Sequence, residues 1–178
     1  MKISCSSRKV AIYGVLTALS LVFGYIEYLV PFPIGIYGIK LGLSNLATVS
    51  VLYLLGGIPA ITLNFVRIIL SSLLFGNTFS FAYSICGGML SAIVMLLIKK
   101  TDMLGVVGIS ICGGLTHNVA QLAVAMVLVD NIKIAFYLPV LLLAGAIMGA
   151  VIGVLALPIV TNKHIKKLCK VDSKIKEK

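Results

Sequence analysis

Residues 134–160 read IAFYLPVLLLAGAIMGAVIGVLALPIV, and no charged side chain interrupts them. A helix crosses the hydrocarbon of a bilayer with roughly 20 predominantly apolar residues, and this stretch exceeds that length. Its glycines Gly145, Gly149 and Gly153 recur at every fourth position and therefore share one helix face. The rest of the chain repeats the theme. Of 178 residues 60% are hydrophobic and only 11% are charged, with a mean hydropathy of +1.15. Soluble domains carry about 25% charged residues, so this inventory cannot supply a water-facing surface.

Working back from that last span, five more segments of suitable character emerge. The six run over 9–30, 40–55, 58–75, 79–98, 104–129 and 134–160. Pro31-Phe32-Pro33 breaks the chain after the first, since proline lacks the amide donor and disfavours helix at the residue before it. Gly56-Gly57-Ile58-Pro59 ends one helix with glycine and opens the next with proline. Gly76-Asn77, Lys99–Asp102 and Asp130-Asn131 mark the other turns. The second and third segments are short for a crossing.

Charge sets the expected orientation. With both termini in the cytoplasm, Lys2, Arg8, Lys9, Lys99, Lys100 and the seven lysines from Lys163 onward lie inside, whereas Lys40 and Lys133 lie outside. That is a strong positive-inside bias. The sequence thus predicts an all-α polytopic membrane protein of six transmembrane helices, N and C termini cytoplasmic. Residues 1–162 form its single domain and residues 163–178 a basic cytoplasmic tail. The net charge of +10 sits at span ends, where it meets lipid headgroups, and does not point to nucleic acid.

Polar groups at membrane depth are costly, and an ionisable one is a functional hypothesis by default. Arg67 lies near the middle of the third span, with Asn64 and Ser71 one turn to either side. It needs a counter-charge, several carbonyls or an anionic ligand, and Glu27 is the acidic residue best placed to meet it. An Arg67–Glu27 ion pair and a ligand-binding Arg67 both remain open. His117, Asn118 and Gln121 cluster in the fifth span, either as satisfied core groups or as ligand contacts. Lys40, Ser44 and Asn45 gather with Glu27 near the outer surface. The glycine face of the last span, and a similar one at Ala11, Gly14 and Ala18 on the first, allow close backbone approach. Such faces serve either packing within the chain or docking of a second membrane protein. Ser84-Ile85-Cys86-Gly87-Gly88 and Ser110-Ile111-Cys112-Gly113-Gly114 match each other, a weak sign of an internal repeat.

The sequence holds no P-loop, no Ser-His-Asp or Cys-His constellation and no zinc-like cysteine spacing. Its five acidic residues form no cluster of the kind that magnesium-diphosphate chemistry requires. No catalytic residue, metal or cofactor is therefore expected.

Three motifs carry a resemblance: Lys40-Leu41-Gly42-Leu43-Ser44-Asn45, Arg67 followed by Leu74-Phe75-Gly76-Asn77, and His117-Asn118-Val119-Ala120-Gln121. They resemble, in order and over most of the chain, the bacterial Gx transporter family, often labelled heptaprenyl diphosphate synthase component I. That family is similar to the substrate-binding S components of energy-coupling factor (ECF) transporters. The resemblance implies a six-helix subunit of the cell membrane that captures a small anionic or amphiphilic molecule from outside. It implies substrate contacts at Lys40, Asn45, Arg67, Asn77, His117, Asn118 and Gln121. It also implies docking through Gly14, Ala18, Gly145, Gly149 and Gly153 onto a coupling protein driven by two ATPases. The usual docking motif has alanines four apart, and the first span departs from it with Gly14 and Ala18. Two rivals stand beside this reading: an accessory subunit of prenyl diphosphate or quinone synthesis, and a membrane redox subunit using Cys86 and Cys112.

Overall fold

A computed structural model describes residues 5–29, 42–76 and 78–170. Seven α-helices account for most of them: α1 (Cys5–Leu29), α2 (Leu43–Leu54), α3 (Gly57–Phe75), α4 (Thr78–Lys100), α5 (Val106–Val129), α6 (Leu138–Thr161) and α7 (Lys163–Lys170). A 3-10 turn over Ile132–Tyr137 leads into α6, and no strand occurs among the described residues.

Five helices are long and apolar enough to cross a membrane, and the chain is a multi-pass membrane protein. Of the six helices α1 to α6 the exception is α2. Its 12 residues rise only about 18 Å, against a hydrocarbon core of about 30 Å. The expected second span thus begins later than its sequence pattern suggested. The expected basic tail also begins as a helix, the short α7.

Neighbouring helices run antiparallel, as short connections require. Gly145 lies at Gly114, Gly149 at Ser110 and Ile111, and Gly153 at Val107, so the register of α6 falls as that of α5 rises. The α4 and α5 helices meet likewise, with Gly87 against His117 and Gln121 and Gly113 against Ser91 and Met95. The same contacts give the matching segments a shared geometry. In each, the first glycine faces the other segment's helix and the second faces an outer neighbour, α3 for Gly88 and α6 for Gly114.

The short α2 sits at the centre, packed against α1, α3, α6 and α7. Val49, Val51 and Leu52 are fully enclosed, and they anchor a core that continues through Leu63, Met95, Ile109, Ile152 and Ala156. Left-handed glycines bracket the helix, Gly42 at φ 73° and Gly56 at φ 108°, conformations that a Cβ would oppose. The N-cap residue Gly42 offers no side chain, so Glu27 of α1 supplies the cap: its carboxylate accepts from the Leu43 amide and, at 3.3 Å, from Ser44 Oγ. At the other end Lys99 of α4 donates to the Leu52 carbonyl and lies 4.7 Å above the Tyr53 ring. A carboxylate at the N-terminus and an ammonium at the C-terminus both match the helix dipole.

The α6 glycine face is spent inside the chain. A Cβ on Gly149 would stand 2.7 Å from Ile111 Cα and 2.7 Å from the Ser110 carbonyl, so the two backbones touch there. Gly145, Gly149 and Gly153 are buried and therefore unavailable to a second protein, which corrects their assignment as a docking surface. Gly14 and Ala18 differ: both are exposed, and nothing lies within 4 Å of a Cβ built on Gly14. Gly149→Ala is expected to cost about 1–3 kcal/mol through overpacking and to lower the unfolding midpoint in detergent. Gly14→Ala should leave that midpoint unchanged. Equal midpoints for the two variants would refute the packing described.

Candidate functional site

The helices α1 to α6 enclose a cavity of about 250 Å³. It reaches the end of the bundle where α1 and α3 finish and α2 and α4 begin, opposite the end that carries Lys99 and α7. Glu27, Tyr28, Asn45 and Phe75 line it at that end. Aromatic contacts tie the same end together, with the Phe75 ring tilted 40° against Tyr25 at 5.0 Å and stacked on Tyr28 at 6.2 Å. Arg67 and Ser71 line the middle with His117 and Asn118, and Ser91, Met95, Ser110 and Ile152 line the deeper part.

Arg67 is 8% exposed, and its position is fixed by its neighbour one turn back. Nε and Nη2 both donate to Asn64 Oδ1, at 3.2 and 2.6 Å. Asn64, itself 1% exposed, donates to the Gly88 carbonyl at 2.8 Å and accepts from Thr48 Oγ1 at 3.4 Å. One amide thus joins α2, α3 and α4 around the guanidinium. Its carbonyl satisfies two of the five guanidinium N–H groups without cancelling the charge. Glu27 faces the same cavity and attracts Arg67 through space.

The other residues expected from sequence divide by direction. Asn45 and His117 line the cavity. Asn118 lines it too, but its amide nitrogen donates to the Leu141 carbonyl at 2.7 Å and so fastens α5 to α6. Gln121 is buried one turn beyond His117, against Gly87, and is not among the lining residues. Lys40 and Asn77 lie outside the described residues. Neither Cys86, which is exposed, nor Cys112 lines the cavity.

What sequence reasoning missed is the hydroxyl content. Among the described residues eight serines line the cavity: Ser20 on α1, Ser44 on α2, Ser71 and Ser72 on α3, Ser80, Ser84 and Ser91 on α4, and Ser110 on α5. Each alone reads as a tolerated polar residue in a membrane helix. Ser80, Ser84 and Ser91, however, stand four and seven residues apart on one face of α4, and that spacing is the signal.

The sequence profile of the family described as heptaprenyl diphosphate synthase component I matches residues 16–158. The chain belongs to that family. The match runs from Leu16 on α1 to Pro158 on α6 and so spans the six helices around the cavity. No curated protein and no solved structure gives a significant match to the chain. Among the described residues, the cavity wall carries hydroxyls, amides, an imidazole, one guanidinium, and one carboxylate engaged in capping α2.

Asn64 is the joint on which this site depends. Asn64→Leu keeps similar volume but removes the acceptor for Arg67 and the donor to Gly88, leaving buried groups unsatisfied at about 1–3 kcal/mol or more. The variant is expected to unfold at a clearly lower temperature in detergent, whereas Ser72→Ala at the cavity wall should not. An unchanged midpoint for Asn64→Leu would show that the network does not hold α2, α3 and α4 together.

Proposed function

We propose that this chain is the substrate-capturing subunit of an ECF-type transporter, comparable to an S component. It takes up a small solute bearing an anionic group, or an amphiphilic one, from the outer side. In this reading all six helices α1 to α6 cross the bacterial plasma membrane, α2 with the help of the segments flanking it, and both termini lie in the cytoplasm. The observation that carries the proposal is the polar cavity around Arg67 in a bundle whose outer surface is apolar. Arg67 supplies positive charge, and Asn45, His117 and Asn118 orient the solute. Lys40 and Asn77 are assigned beside them from the sequence pattern alone. The exposed Ala11, Gly14 and Ala18 on α1 provide a small-residue face for a transmembrane coupling protein, whose ATPases supply the energy.

The family description favours a second reading, a membrane accessory subunit of prenyl diphosphate synthesis. The cavity argues for capture of something smaller. At about 250 Å³ it lies just below the roughly 300–1,000 Å³ of pockets that enclose drug-sized ligands, a size that suits a small solute.

One purification separates the two readings. Mass spectrometry of the isolated protein should find a bound small molecule, retained at least about tenfold less by Arg67→Ala, as loss of a charged hydrogen bond of about 1.5–3 kcal/mol implies. Partners recovered with it should be a membrane coupling protein and ATPases. Unchanged retention in Arg67→Ala, with a soluble carboxylate-rich synthase as the partner, would favour the accessory role instead.

A further inference from the structure

We propose that α7 is a lipid-sensing helix, lying against the headgroups of acidic phospholipids at its end of the bundle and kept folded by their negative surface. The inference is independent of the capture reading, because α7 stands at the end opposite the cavity.

The extended Asn162 stops α6, so α7 starts as a separate helix and not as a continuation. Asn162 also caps it, its Oδ1 accepting from the His164 amide at 2.9 Å and from the Ile165 amide at 3.4 Å. Lys163, Lys166 and Lys167 stand three and four residues apart and share one face, and all three are exposed. Ile165, on the opposite side, is half-buried, and α7 packs against α2 and α6. A short helix with an apolar side and a cationic side suits the plane of a membrane surface. Its position agrees, since Lys163 comes two residues after Thr161 ends the last apolar span.

The electrostatics of α7 oppose its folding. Its eight residues fall short of the roughly 12–15 at which an isolated helix becomes even marginally stable in water. Lys163 occupies the first turn, where the helix dipole repels a cation, and no acidic residue shares that turn. Lys163 also meets Lys166 and Lys167 as like charges at the spacings where such pairs destabilise. The chain itself does not supply the missing counter-charge. By sequence this end carries Lys2, Arg8, Lys9, Lys99, Lys100 and the seven lysines of 163–178, against Asp102, Asp172 and Glu177. The excess is positive however those groups are arranged. The negative partner therefore comes from outside, and beside the end of a membrane span the acidic headgroups of the leaflet are the nearest source. Each lysine close to such a surface adds to the attraction.

The test places the full chain in nanodiscs of phosphatidylcholine alone, or of an equal mixture of phosphatidylcholine and phosphatidylglycerol. Folding of α7 is read as hydrogen–deuterium exchange at the backbone amides of 163–170. The acidic bilayer is expected to slow exchange there about tenfold or more while leaving α5 unchanged. Lys163→Gln, Lys166→Gln and Lys167→Gln together remove both the repulsion within α7 and the attraction to lipid. The triple variant should therefore lose most of the lipid effect, yet exchange more slowly than the unaltered chain in phosphatidylcholine. Equal exchange of the unaltered chain in the two bilayers would overturn the inference, as would an undiminished lipid effect in the triple variant. So would protection in phosphatidylcholine by added polyglutamate or inorganic phosphate that matches phosphatidylglycerol, which would assign the lysines to a soluble acidic partner or a free anion.

Discussion

A helix of 12 residues, too short to cross the bilayer, stands at the centre of this protein and is held at both ends by side chains from other helices. Its own termini offer little: Gly42 has no side chain to cap the first amides, and the last carbonyls end in a glycine turn. In water such ends would be solvated. At membrane depth each orphaned amide or carbonyl costs several kcal/mol, so the neighbours must provide partners. Glu27 and Lys99 do so with charges of the sign that the helix dipole favours. Much of the bundle follows from that constraint. The α1 helix must bring Glu27 to the start of α2, and α4 must bring Lys99 to its end. Thr48 on the buried face of α2 then meets Asn64, which in turn fixes Arg67.

The cavity lies beside the first turns of α2, and polar side chains of α1, α3, α4 and α5 turn into it. The α5 and α6 helices, by contrast, close completely, glycine on backbone, over Gly114, Gly145, Gly149 and Gly153. Lipid supplies no hydrophobic drive between helices, so this close approach and its dispersion contacts give the bundle a rigid wall. The site is thus framed by a tight pair on one side and a clamped short helix on the other. Arg67 is positioned from both: α2 holds it through Thr48 and Asn64, and α4 through the Gly88 carbonyl.

Helix positions were legible because their stop signals act locally. Gly56 takes the positive φ that its turn needs, and Asp102 and Asp130, in two of the other breaks, also have positive φ. The shortness of the second span was legible too, but its centrality was not. In a membrane protein, residues facing lipid and residues facing the core are both apolar, so composition does not rank helices by burial. The glycine face of α6 allowed two uses, and only the distance to α5 decided between them. Adjacent polar residues misled for a geometric reason. Asn118 lies about 100° around the helix from His117, so the amide turns toward α6 while the imidazole and Gln121 turn toward α4. The serines escaped notice because each is weakly polar alone, and their meaning lies in five helices presenting them to one space.

The family to which the chain belongs carries the description of a synthase component, whereas the capture role proposed above assigns the interior to a small polar solute. The central claim is that this interior communicates with the face opposite α7. The most direct measurement replaces the four native cysteines, introduces Ser84→Cys into the cavity or Lys166→Cys into α7, and applies a membrane-impermeant maleimide. Cysteine at position 84 should be labelled in intact cells, and cysteine at position 166 only in inverted vesicles. Labelling of both positions from the same side, or of position 84 only from the side of α7, would contradict the account.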